Sequence, residues 1–146
     1  MVSVLKYIFR YSVIFVFGGC AYYYLEVLFR GWSHWSMFLL GAVCFVFFSL
    51  QKKVPWWNQS LPWQLFRCLL FAFVGEFITG CMVNLWKGWA VWDYSEVPLN
   101  ILGQVCLPME IIFLLICYFA LVLDDFLFKY VLGEESSVPV KKIPEL

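Results

Sequence analysis

The chain predicts an all-α integral membrane protein, a four-helix transmembrane bundle with both termini inside. Three observations predict it. The 146 residues are 64% hydrophobic, 22% aromatic and only 14% charged, with mean hydropathy +0.83; a soluble domain is about 45–50% apolar and about 25% charged. Four apolar stretches fill most of the length, and a bilayer core about 30 Å thick takes about 20 apolar residues in helix. All eight tryptophans fall at or near the ends of those stretches, where an interfacial aromatic belt belongs. A formal net charge of zero gives no footing for a nucleic-acid partner. Four spans in so short a chain leave no room for a second domain. A transmembrane domain over 1–132 and a polar cytoplasmic tail over 133–146 are expected.

Span one is expected at about 11–28, after Lys6 and Arg10. A basic start before an apolar run also resembles a signal peptide. Apolar and aromatic sequence continues through Tyr22, Tyr23, Tyr24, Val27 and Leu28, so an uncleaved helix is expected. Span two is expected at about 35–50, span three at about 65–86 and span four at about 99–123. Each is too long for an ordinary strand, and helices satisfy their own backbone in lipid. Pro55 and Pro62 mark the short loop between spans two and three. Pro108 lies inside the fourth stretch and is expected to kink it near Gln104.

Orientation follows from the basic residues. With four spans, the N-terminus, middle loop and C-terminus share one side. That side holds Lys6, Arg10, Lys52, Lys53, Arg67, Lys129, Lys141 and Lys142; the other holds Arg30 and Lys87. Such a bias places the richer side in the cytoplasm. The sequon Asn58-Gln59-Ser60 then faces the cytoplasm and carries no glycan.

Cysteines 20, 44, 68, 81, 106 and 117 lie in or beside apolar stretches without CxxC spacing. They read as small hydrophobes, not as ligands or a disulfide framework. The single histidine, His34, sits in a loop between tryptophans. No metal site and no cofactor is expected.

Three glutamates interrupt the apolar stretches. A carboxylate at the bilayer centre costs about 3 kcal/mol on insertion scales, so each needs a reason. In span three, Ala72, Glu76, Gly80 and Asn84 recur every four residues, with Thr79 adjoining. That small-and-polar stripe is expected to pack against another helix with Glu76 in the contact. In span four, Gly103, Cys106, Glu110 and Cys117 share a face. In span one, Glu26 precedes Arg30 by four residues and is placed to pair with it. Each glutamate is either glue for the bundle, bonded to Tyr, Thr or Asn, or part of a site. The segment from Lys87 to Asn100 is the richest in polar residues. Asp93 and Ser95 suit turn amides and Asn100 a helix cap; a binding role is the other reading.

The run Glu76-Phe77-Ile78-Thr79-Gly80, then Trp92-Asp93-Tyr94-Ser95, then Asn100-Ile101-Leu102-Gly103 resembles the bacterial CmpB family, labelled ABC-transporter type IV permeases. It is also similar to the eukaryotic transmembrane protein 229 proteins. Glu26 matches a glutamate late in their first helix; Glu110 lies outside the pattern. The resemblance spans roughly Gly19 to Cys106 and implies transport. No GxxxxGK[ST] phosphate loop occurs in the chain, so it does not itself hydrolyse ATP in that way. With only four spans, a permease of this family implies a homo-oligomer or other membrane subunits as partners, besides the lipid bilayer, and the bacterial family implies a bacterial plasma membrane.

Three functions follow as expectations. The first is a transporter-like component. In it Glu26 and Glu76 flank a polar pocket with Thr79, Gly80, Asn100 and Gly103, roofed by Trp92, Asp93 and Tyr94; Glu110 and Asn84 are secondary candidates. Two like charges there oppose joint ionisation, so one carboxyl is expected to hold a proton unless Arg30 or a cation intervenes. The second is an accessory or scaffold membrane protein with polar stripes that hold partner helices. The third is a lipid-modifying enzyme with Glu76 and Asp93 as a carboxylate pair.

Overall fold

The structure is a computed structural model that describes residues 1–133; the polar tail expected beyond them lies outside the described residues. Among the described residues there are four α-helices and one short two-stranded ribbon. Helix α1 is Val2–Arg30, α2 is Trp35–Gln51, α3 is Leu61–Gly80 and α4 is Leu107–Phe126. Strands β1 (Asn100–Ile101) and β2 (Val105–Cys106) pair antiparallel before α4. With their final wide turns, α3 runs to Trp86 and α4 to Val131. Helices α1, α3 and α4 are long and apolar enough to cross a membrane; α2, with 17 residues, is a shorter apolar helix.

Local chemistry explains the boundaries. No proline interrupts residues 2–30, so α1 begins nine residues before the expected Tyr11. It ends where Gly31 adopts a left-handed φ of 79° and donates to Val27 O at 2.8 Å, the usual glycine stop. His34 starts α2, its Nδ1 accepting from Ser36 N at 3.3 Å; the histidine therefore has a loop role. Pro62 and Pro108 both fall in the first turn of their helices, where the missing N–H would have no partner anyway.

That placement corrects the fourth span. Helix α4 starts at Leu107, not near Leu99, and Pro108 initiates it and does not kink it. Leu99, Leu102 and Gly103 have φ of 57°, 52° and 68°, values a right-handed helix excludes. Asn100 caps no helix: its Nδ2 donates to Val97 O at 2.8 Å and its Oδ1 accepts from Gly103 N at 3.0 Å. The chain turns back as a hairpin, and Gly103 sits in that turn and not on a helix face.

Helix α2 is the hub and packs against α1, α3 and α4. Its seam with α1 is the tightest. Built-in Cβ atoms at Gly18, Gly19 and Gly41 would collide with Phe45, Phe38 and Tyr22. The core joins Ile14, Phe45, Phe48, Cys68, Ala72, Cys117 and Leu121 from all four helices. Seven tryptophans are exposed near helix ends; Trp92 is buried. At one end of the bundle, Lys53 lies over the rings of Tyr7, Tyr11 and Phe128. The start of α1, the end of α2 and the end of α4 therefore share that end.

Candidate functional site

The glutamates gather at the opposite end. The buried residues of α3 are Gln64, Cys68, Ala72, Glu76 and Gly80, one every fourth position, so periodicity alone carries Glu76 inward. It is 3% exposed. Helix α4 buries Glu110, Phe113, Cys117, Leu121 and Asp124 by the same rule. Antiparallel packing of α3 and α4 sets Glu110 beside Glu76, and Tyr94 reaches Glu76 from the loop between them. Glu110 is 8% exposed, and apart from the Glu76 carboxyl its oxygens meet no donor among the described residues. Two carboxylates cannot hydrogen-bond each other; a proton on one makes the contact a bond. Sequence reasoning ranked Glu110 below Glu26; the structure makes it the partner of Glu76.

Glu26 approaches from α1. Arg30 Nη1 lies 3.2 Å from its Oε2, and Ser33 Oγ donates to the same oxygen at 3.2 Å. The expected i,i+4 pair is present, and Arg30 also donates to Val91 O, tying α1 to the loop above. Tyr22, one turn before Glu26, lies in electrostatic range of Glu26, Glu76 and Tyr94 and stacks on Phe113 of α4 at 6.1 Å. Thus three helices and one loop bring Glu26, Glu76, Glu110, Tyr22 and Tyr94 to one interior. Burial and the nearby Glu76 charge both push the Tyr94 phenol above its ordinary range.

The loop itself is built from the motif residues. Asn84, in the wide last turn of α3, accepts from Val91 N at 2.7 Å and donates to Gln104 Oε1 at 2.8 Å. Trp92 donates through Nε1 to Gln104 O at 2.8 Å. Gly80 lets this layer sit close: a Cβ there would lie 2.7 Å from Gln104 Oε1 and 3.0 Å from Trp92 Cζ2. At Gly80 and Asn84 the stripe therefore packs on the protein's own hairpin and loop, while at Ala72 and Glu76 it faces neighbouring helices, as expected. Tyr94 N donates to Gly103 O at 2.8 Å, and a Cβ at Gly103 would lie 2.6 Å from Ser95 Oγ.

Asp93 does not join the roof. It is exposed and accepts from Ser95 N at 2.8 Å and from Ser95 Oγ. Those bonds to Ser95 hold its carboxyl below the usual range. Trp92 and Tyr94 flank it and point inward, because neighbouring residues of extended chain face opposite ways. Asn100 and Gly103 are likewise turn-builders, and Thr79 is half-buried on α3. Gln104, which sequence reasoning passed over, is 2% exposed and joins Asn84, Trp92 and the hairpin; a glutamine inside an apolar run was its signal.

An apolar cavity of about 130 Å³ lies between the helices. Tyr22, Ala72 and Phe113 line it, and no glutamate does. Asp124 lies at the opposite end, 0% exposed, its Oδ2 3.0 Å from Lys52 Nζ. Among the described residues no group of three or more His, Cys, Asp or Glu is placed to hold a metal ion.

Apolar helices of membrane-crossing length fit an integral membrane protein, and acids buried among such helices are uncommon in one. A family model described as "Putative ABC-transporter type IV" matches residues 7–138. The chain belongs to that family, the CmpB family that its loop motif resembles. No curated protein and no solved structure matches the chain.

Proposed function

We propose that the protein is a transporter-like component of the bacterial plasma membrane, spanning it four times with both termini in the cytoplasm. In this reading Glu76 and Glu110 form a proton- or cation-coupling pair, with Glu26, Tyr22 and Tyr94 around it. One observation carries it: a nearly buried Glu110 carboxyl with no donor but the second buried carboxyl set against it. Groups so placed mark ion and proton routes in membrane proteins. The family description supports an ABC-type role. The chain has no phosphate loop, so ATP-driven transport needs a separate ATPase subunit; proton passage through the pair needs only this chain and further copies of it.

The test uses proteoliposomes with a trapped pH dye and an imposed membrane potential. The wild-type protein should carry protons inward, and Glu76→Gln, folded and inserted equally, should stop it. Equal flux in both, or no flux above empty liposomes, overturns the reading. A phosphatase that works only outside the cytoplasm, fused after Leu146, should be inactive; activity there refutes the topology.

A scaffold role is the second reading, favoured by the absence of any glutamate from the cavity lining. A stable partner that co-purifies in mild detergent supports it. Gly80→Leu does not separate the two readings, because Gly80 packs against Trp92 and Gln104 of the same chain. The lipid-modifying reading loses its pair: Glu110, and not Asp93, stands beside Glu76.

A further inference from the structure

We propose that the cavity between α1 and α4 takes the apolar part of an amphipathic organic cation whose charged head is held by Glu76 and Glu110. This rests on the coupling-pair reading above and adds a substrate class to it. The cavity starts one turn from each glutamate: Tyr22 precedes Glu26 by four residues, Ala72 precedes Glu76 by four, and Phe113 follows Glu110 by three. A helical turn rises about 5.4 Å, so a small head at the carboxyls and a chain in the cavity belong to one short molecule.

The cavity has a way in. Helices α1 and α4 meet at Tyr22–Phe113, with ring centres 6.1 Å apart, and again at Arg10–Phe128, 4.8 Å apart. Between those points they part, and Phe119, 65% exposed, forms the outer edge of the gap. The gap therefore opens sideways, towards the lipid in the four-span reading. An engineered apolar cavity of about 150 Å³ in another protein stays dry and binds benzene; the space here, about 130 Å³, suits a short alkyl chain or one ring.

Two features lie about one helical turn apart. Glu110 has no donor beyond the Glu76 carboxyl among the described residues, and the cavity is walled by apolar side chains. A lipid tail fills the second and leaves the first. A proton fills the first and leaves the second. An alkylammonium ion supplies N–H donors, positive charge and hydrocarbon together.

The test is calorimetry on the full chain in lipid nanodiscs, with empty discs subtracted for partition, using methylammonium and butylammonium. Butylammonium should bind saturably and on the order of 50-fold tighter, from three added methylenes. Glu110→Gln should weaken both amines by at least about tenfold, through loss of a charge-assisted bond. Ala120→Phe, which fills the gap from α4, should erase the advantage of the longer chain and leave methylammonium unchanged. If that variant misfolds, butanol serves in its place on the wild type: at equal concentration it should not displace butylammonium, and in large excess it should. Equal affinity for the two amines, with both weakened by Glu110→Gln, overturns the amphipathic class and leaves the coupling pair standing. Butylammonium binding that is indifferent to Glu110→Gln, that butanol displaces at equal concentration, or that a large excess of butanol leaves untouched overturns the proposal as well. Saturable binding of neither amine overturns the proposal, while proton flux still judges the coupling pair on its own.

Discussion

Replacing Lys52 by methionine should destabilise the bundle far more than its place at a helix end implies. Lys52 Nζ lies 2.7 Å from Asp125 Oδ1, 3.0 Å from Asp124 Oδ2 and 3.1 Å from Leu121 O. Its side chain is 9% exposed and that of Asp124 is 1% exposed. Water therefore screens the pair little. Methionine keeps most of the stem and removes only the charge and three donors. Breaking a buried pair from one side costs about 3–5 kcal/mol, because the partner charge stays buried. Beyond Lys52, the donor beside Asp124 is the neutral Ser49 hydroxyl, which does not balance its charge. The drop in Tm should be on the order of 10 °C, read by tryptophan fluorescence in one detergent. Lys52→Met with Asp124→Leu removes the two buried charges, leaves the 28% exposed Asp125 in reach of water and should return to within about 1 kcal/mol of wild type. The reasoning is refuted if the single variant loses less than about 1 kcal/mol, or if the double variant is as unstable as the single.

Three further outcomes follow from the loop. Gly103→Ala should cost about 2–4 kcal/mol, from left-handed strain plus a clash with Ser95, seen as earlier thermal unfolding and faster amide exchange at Tyr94; an unchanged Tm contradicts it. Asn84→Ala should cost about 1–3 kcal/mol for the polar groups it orphans, with exchange rising at Val91 and Trp92 while the core of α2 stays protected. Asp93 has a folded pKa below its unfolded value, so its contribution is present above about pH 3.9 and is lost as pH falls through the folded value. Trp92 fluorescence should therefore hold from pH 7 to 4 and shift below that; Asp93→Asn should remove the shift.

The helices were legible because their signals are long. A four-residue repeat of small and polar residues on α3 places Glu76 inside regardless of context, and Glu26–Arg30 follows from spacing on one helix. The pairing of Glu76 with Glu110 was not legible, because it depends on the packing of α3 against α4, and no local pattern encodes register between helices. The start of α4 was misjudged for a physical reason. Leu99, Ile101, Leu102 and Val105 look like span residues by hydropathy, but the left-handed turn at Leu102 and Gly103 and the proline after Leu107 set the boundary. Asp93 joins the expected roof as part of the Trp92–Ser95 loop, with a turn role as the other reading; the structure has Ser95 claim its charge through a two-residue turn, the role its residue type announces. The Lys52–Asp124 pair escaped notice because its members lie far apart in the chain.

The seam between α1 and α2 sets a rule for how this chain can vary. Gly18 faces Phe45, Gly19 faces Phe38 and Gly41 faces Tyr22, each glycine hollow filled by a ring from the other helix. The two helices exchange bulk in both directions, since rings from α2 fill hollows in α1 and a ring from α1 fills one in α2. Enlarging either glycine helix alone forces the axes apart, and trimming a ring alone leaves a void. Size at these three places belongs to a couple and not to a residue, so tolerated changes there should arrive as matched swaps, one side growing as the other shrinks.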